Sequence, residues 1–89
     1  MTLANVLKFG RKNAQSRPEL AALLGWTDRA LRKNIERARQ EGVVIANDQD
    51  GGGYYFPETR AELERQFKQN ESRAMAILRQ QKHLRKALR

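Results

Sequence analysis

The basic side chains between residues 17 and 39 are the groups in this sequence with the clearest chemical use. The guanidinium of arginine matches the O6 and N7 acceptors of guanine, and arginine and lysine both pair with phosphate. Side chains in the first two turns of a recognition helix reach base edges in the major groove. Base contacts are predicted for Arg29, Arg32 and Lys33. Phosphate contacts are predicted for Arg17, Arg37 and Arg39.

The overall charge points to an anionic partner, although most of the excess lies outside that stretch. The 89 residues carry 18 Lys and Arg against 10 Asp and Glu, a net charge of +8. Residues 1–71 hold twelve basic and ten acidic side chains, whereas residues 72–89 hold six basic side chains and no acid. Such a balance favours binding to a polyanion. The alternative is a solvated, highly charged surface with ion pairs such as Arg32–Glu36.

Catalytic and metal chemistry have almost no support in the sequence. The chain has no cysteine, and its single histidine, His83, cannot form a metal cluster alone. We find no Ser/His/Asp set, no paired carboxylates in a predicted pocket and no phosphate-binding loop. We therefore expect no enzyme activity, no metal and no cofactor.

Two helices are predicted before residue 26. Apolar residues at helical spacing predict the first over residues 2–13. The second, over residues 16–24, begins with Ser16 and Glu19 at capping-box spacing and ends at Gly25, which takes the left-handed conformation without strain. Its predicted buried positions are Leu20, Leu23 and Leu24.

The third predicted helix carries the basic cluster. Thr27 is the expected N-cap of a helix over residues 28–41, and we include Thr27 among the DNA-contacting residues. Leu31 and Ile35 fall on one side of this helix and are predicted to face the core. Trp26, in the turn, is a predicted core residue.

A hairpin is predicted next. The β-branched content predicts a strand over residues 43–47, and a glycine-rich tip leads to a returning aromatic strand over residues 54–56. The tip carries Asp48, Gln49 and Asp50 where lysine or arginine would grip phosphate, so the hairpin is expected mainly to cover the core. Tyr54 or Phe56 would then pack inward, with base stacking by Tyr55 as an alternative role.

The order of helix, helix, helix, hairpin and helix is that of a winged helix-turn-helix. The run GWTDRALRKNIERARQEGVVI, followed after a glycine-rich gap by GYYFP, resembles the N-terminal DNA-binding domain of the biotin operon repressor family. The resemblance covers residues 14–57 and implies DNA binding, but not the biotin ligase activity of that family. The whole chain is also similar to small winged-helix proteins of phages and prophages.

The remaining residues are predicted to be helical, either as one helix or as two that separate near Asn70. We divide the chain into a winged helix-turn-helix domain, 1–57, and a C-terminal extension, 58–89. Positions 63, 70, 77 and 84, with 67, 74, 81 and 88, form an interrupted coiled-coil seam. Leu63 and Phe67 are predicted to dock on the first helix, and the distal half to form a homodimer, with intramolecular packing as the alternative. The predicted dimerisation residues are Ala74, Ile77, Leu78, Leu84 and Leu88.

These patterns predict a mainly α-helical protein with a small β-hairpin that binds double-stranded DNA sequence-specifically. We expect a homodimeric transcriptional regulator or replication accessory of phage type, located in the cytoplasm. No apolar run approaches the roughly 18 residues of a membrane span, and the N-terminus lacks a signal-peptide pattern, so no membrane partner is expected. One alternative is a winged-helix module that binds an acidic protein partner, and another is a basic RNA-binding protein.

Overall fold

The structure, a computed structural model, describes residues 2–48 and 53–89. Within these residues the order is α1 (Leu3–Val6), a 3-10 helix (Arg11–Asn13), α2 (Arg17–Leu24), α3 (Asp28–Gln40), β1 (Ala46–Asp48), β2 (Gly53–Tyr55) and α4 (Arg60–Ala87). β1 and β2 pair antiparallel, with Asn47 opposite Tyr54. The predicted class, mainly helical with a small hairpin and a long C-terminal helix, is confirmed.

The first helix is much shorter than the predicted span of residues 2–13, which was wrong. α1 ends at Val6, and residues 8–10 run beside the end of β2 instead. Phe56 N donates to the Lys8 carbonyl at 2.8 Å, and Gly10 N donates to the Phe56 carbonyl at 2.9 Å. Gly10 has a φ of 91°, a value that glycine adopts without strain. Pairing with the hairpin therefore replaces the later turns of the predicted helix.

The turn between α2 and α3 is built as the sequence predicts. Ser16 Oγ accepts a hydrogen bond from Glu19 N at 3.3 Å at the start of α2, and Gly25 ends that helix in the left-handed conformation with a φ of 69°. Thr27 Oγ1 accepts a hydrogen bond from Ala30 N at 3.1 Å and caps α3. Both caps satisfy amides that lack intrahelical partners.

The core lies between α1, α2, α3 and Ile45, the residue just before β1. Its buried members are Leu3, Leu7, Leu20, Leu31, Ile35 and Ile45. Trp26 and Leu24 pack against this cluster while remaining partly exposed. Leu23 was wrongly predicted to be buried, since 53% of its surface is exposed on the outer side of α2.

The hairpin lies between this core and α4. β1 starts three residues later than the predicted strand, and Val43 and Val44 are exposed. Tyr54 and Phe56 pack against the core, as one alternative predicted, while Tyr55 points to the opposite face and is 1% exposed. The predicted base stacking by Tyr55 is therefore wrong, because its ring is buried. Residues 49–52 of the predicted tip lie outside the described residues.

α4 is one continuous helix of 28 residues, about 42 Å long, with no break near Asn70. Thr59 caps it by accepting a hydrogen bond from Glu62 N at 3.2 Å. The predicted docking of Leu63 and Phe67 on the first helix is wrong, since these side chains are 48% and 68% exposed. α4 docks instead through polar side chains one turn apart, and every residue from 71 onward is exposed.

Candidate nucleic-acid interface

The outer face of α3 presents basic side chains to solvent. Leu31 and Ile35 hold the opposite side of the helix in the core, at 0% and 3% exposure. Arg29 and Lys33 are therefore on the outward face, since they lie roughly half a turn from the buried side. Arg32 and Arg37, also exposed, lie on either flank of that face. The four residues form a surface on a helix whose axis is fixed by its apolar side and by the Thr27 cap.

One carboxylate joins this helix to α2. Asp28 Oδ1 lies 3.4 Å from Arg17 Nε, and Asp28 Oδ2 lies 3.2 Å from Arg32 Nε. The structure thus brings together two predicted site residues that are 15 positions apart in the chain. It also pairs Arg32 with Asp28, one turn before it, and not with Glu36, which was predicted as its partner if these charges only form surface ion pairs. All three side chains are about half exposed, so the pairs contribute little stability and can exchange for phosphate.

A groove beside this cluster adds an arginine that is absent from the predicted site. The groove measures about 350 Å³ and lies between the start of α2, the hairpin and α4. Arg17 and Arg73 of α4 both line it, as do Ser16 and Tyr54. Arg73 was counted only as part of the basic C-terminal segment. It lies seven residues after Gln66 and so on the same side of α4, but spacing alone does not indicate that Gln66 is the docked residue.

Two residues predicted to contact DNA have structural roles. Thr27 caps α3, as described above. Arg39 turns back toward the hairpin, where its Nη2 donates to the Ile45 carbonyl at 2.8 Å and to Asn47 Oδ1 at 3.0 Å. Its guanidinium carbon also lies 5.7 Å from the ring centre of Tyr54. Burial is the main cause that lowers the pKa of Arg39; Tyr54 opposes this shift, and the charge of Arg73 adds to it. Arg39 therefore holds β1 and β2 against α3, and its phosphate contact stays a prediction.

The acidic residue at the end of β1 is engaged inside the protein. Asp48 Oδ2 lies 2.9 Å from Arg11 Nε, and Asp48 Oδ1 lies 3.9 Å from Arg65 on α4. Only 14% of the Asp48 side chain is exposed. The hairpin acid therefore ties the 3-10 helix and α4 to β1, and its charge is balanced locally.

Polar docking fixes α4, and with it Arg73, relative to the hairpin. Gln66, 9% exposed, accepts a hydrogen bond from Asn47 N at 2.8 Å and donates to Asn70 Oδ1 at 2.9 Å. Glu62 accepts hydrogen bonds from the backbone amides of Glu58 at 2.8 Å and Arg11 at 2.9 Å. Those two amides hold the pKa of Glu62 below its ordinary value.

The distal half of α4 projects from the domain with all its side chains exposed. It carries the predicted dimerisation residues, of which Ile77 is 50%, Leu78 61%, Leu84 53% and Leu88 87% exposed. Ala74 lies on the same side as Ile77. The basic residues of the segment lie around the rest of the helix.

Other kinds of site find no support in the described ranges. Residues 2–48 and 53–89 contain no cluster of His, Asp and Glu side chains that could hold a metal ion. No helix in the described part of the chain combines the length and apolar character needed to cross a bilayer. Comparisons with known protein families, with curated proteins and with solved structures found no match.

Proposed function

We propose that this chain is a sequence-specific double-stranded DNA-binding protein of the winged helix-turn-helix class. The observation that carries the proposal is the outward face of α3. Arg29 and Lys33 lie on this face and Arg32 lies at its flank, while the helix is capped at its start and buried along its opposite side. A helix of this kind fits the major groove, and its first two turns reach base edges. α3 is accordingly the recognition helix.

Affinity and specificity are divided between different parts of the chain in this proposal. Residues 28–41 carry five basic and three acidic side chains, a balance too even to hold DNA by charge alone. α3 selects the sequence, while Arg17 and Arg73, which line the adjoining groove, bind phosphate. The six basic residues from 73 to 89 add the long-range field that draws the protein to DNA. Homodimerisation through α4 doubles this surface, which suits a transcriptional regulator or a replication accessory of phage type.

Selection of bound sequences from a random duplex library, followed by titrations on the selected site, tests this proposal. Arg32→Ala is expected to lower specific affinity by about 1–3 kcal/mol, roughly 5- to 150-fold, and to relax preference at one base pair. Arg37→Ala is expected to weaken all duplexes alike and to reduce the salt slope by about 0.9. Arg60→Ala removes the same charge from the exposed first turn of α4 and serves as the control.

Two results would contradict the assignment. Equal losses on every sequence for Arg32→Ala and Arg37→Ala would remove the base-reading role of Arg32. No measurable duplex binding at about 50 mM salt would favour the protein-interaction module, since phosphate contacts are strongest at low salt. Tighter binding to structured RNA than to the selected duplex would favour the RNA-binding alternative.

A further inference from the structure

A stripe of apolar side chains runs the length of α4 and is left uncovered by the domain. Its large members are Leu63, Phe67, Ile77, Leu84 and Leu88, and each is 48–87% exposed. At Leu63 and Phe67 the stripe lies about a quarter of a turn around the helix from Gln66, the residue through which α4 docks. Spacings of four and three residues alternate along it, which is the repeat of a two-helix coiled coil. The uncovered surface is therefore longer than the distal half alone.

We propose that two copies of this chain associate through α4 in antiparallel orientation, so that the whole stripe is buried. The proposal deepens the homodimer of the proposed function and rests on it for its biological role. Its physical basis is separate, because it depends on the order of large, small and charged residues along α4.

The antiparallel register matches the seam residues in size and polarity. Aligning Leu63 with Leu88 of the second copy places Phe67 against Leu84, Asn70 against Gln81, and Ala74 against Ile77. Each apolar layer then joins two apolar residues, and the small Ala74 faces the larger Ile77. A parallel pair would instead place Ala74 against Ala74 and Phe67 against Phe67. That arrangement leaves a void in one layer and crowds another, and both are costly in a packed seam.

The charge distribution favours the same orientation. A parallel pair sets the two C-terminal segments side by side, each with six basic residues and no acid between 72 and 89. The antiparallel pair sets that segment beside residues 58–71 of the other copy, which hold four acidic and three basic side chains. In this register Glu64 flanks the seam opposite Arg85 of the second copy. Opposite charges at such flanking positions select orientation in coiled coils.

The orientation also fixes how far apart the two domains stand. Gln66 anchors each domain to α4, and in this register the two Gln66 residues are about 30 Å apart along the helix pair. The two Glu62 residues, which hold the start of α4, are about 40 Å apart. The two domains are therefore attached about 30–40 Å apart along the helix pair.

Cysteine cross-linking of the full chain, without DNA, tests the register. The protein has no cysteine, so Leu63→Cys and Leu88→Cys each introduce one thiol at an end of the seam. With a short bis-maleimide cross-linker, an equimolar mixture of the two variants should give the mixed dimer. Each variant alone should stay uncross-linked, because like positions lie about 38 Å apart. Self-linking of each variant would show a parallel pair and overturn the proposal.

Charge exchange and sedimentation supply independent measurements. Glu64→Arg should raise the dimer Kd by about 2–5-fold per contact, and adding Arg85→Glu in the same chain should restore it. If the two helices were parallel, the double variant would not recover the dimer Kd. The unmodified chain should sediment as a dimer, and a monomer at all concentrations would overturn the proposal. Since DNA is absent throughout, loss of duplex binding in the earlier titrations and loss of self-association here are separate outcomes.

Discussion

Replacing Gln66 is the most direct test of how α4 is attached. Gln66→Met keeps a side chain of similar length but removes the acceptor for Asn47 N and the donor to Asn70 Oδ1. A backbone amide left without a partner at a buried site costs about 1–3 kcal/mol, and each lost net hydrogen bond about 0.5–1.5 kcal/mol. Because Asn47 is only partly buried, water can replace part of the lost hydrogen bonding. We therefore expect a loss of about 1–3 kcal/mol in the free energy of unfolding.

Urea denaturation of the full chain, followed by circular dichroism, measures this loss. In a thermal melt, a loss of about 2 kcal/mol in the free energy of unfolding would lower the Tm of a domain of this size by about 8–16 °C. Gln80→Met is the matched control, because Gln80 lies on the exposed distal half of the same helix. A surface change of that kind is expected to stay within about 0.5 kcal/mol. If both variants lose the same stability, then α4 is not held by Gln66 and the placement of Arg73 beside the groove loses its basis.

Two further predictions concern acid stability and the hairpin. Hydrogen bonds from the amides of Glu58 and Arg11 lower the pKa of Glu62 in the folded chain. The stability that this carboxylate contributes is therefore fully present above the unfolded glutamate pKa of about 4.3. It is lost as the pH falls through the lower pKa of the folded chain. Unfolding followed across this acid range should therefore show a weaker pH dependence in Glu62→Gln than in the unmodified chain, and an unchanged dependence would contradict the role of this carboxylate. A Cβ at Gly53, where φ is 108°, would overlap the Gln15 carbonyl, whereas at Gly25, where φ is 69°, it would meet nothing within 4 Å. Gly53→Ala should consequently destabilise the chain by clearly more than the roughly 1–2 kcal/mol expected for Gly25→Ala, and equal midpoints in urea would show that β2 does not approach Gln15 so closely.

The parts of the fold that could be predicted are those whose determinants are local. Ser16, Gly25 and Thr27 act on amides or dihedral angles within a few residues, so the ends of α2 and the start of α3 follow from the sequence. The outward face of α3 follows in the same way, since Leu31 and Ile35 are fixed by helical periodicity. The basic surface could therefore be predicted without knowing the rest of the chain.

The parts that could not be predicted depend on distant backbone groups. Residues 8–10 leave the helical conformation because Phe56, more than forty positions away, donates its amide to the Lys8 carbonyl and accepts a hydrogen bond from Gly10 N. Arg39 turns toward the hairpin because the Ile45 carbonyl lies within its reach after the chain turns at Gly42. Neither partner can be read from the spacing of residues within one helix.

The docking of α4 shows the same effect, and it bears on function. The apolar pattern favours Leu63 and Phe67 as the docked residues, because burial of apolar surface is the stronger general force. The hairpin, however, presents to α4 the edge of β1 with its Asn47 amide, and a polar glutamine satisfies that amide where leucine could not. Docking through Gln66 turns Leu63 and Phe67 to the side, where they join Ile77, Leu84 and Leu88 in one stripe that Asn70, Ala74 and Gln81 interrupt. The polar contact that attaches α4 to its own domain is thus what leaves the apolar face uncovered, as the proposed dimer requires.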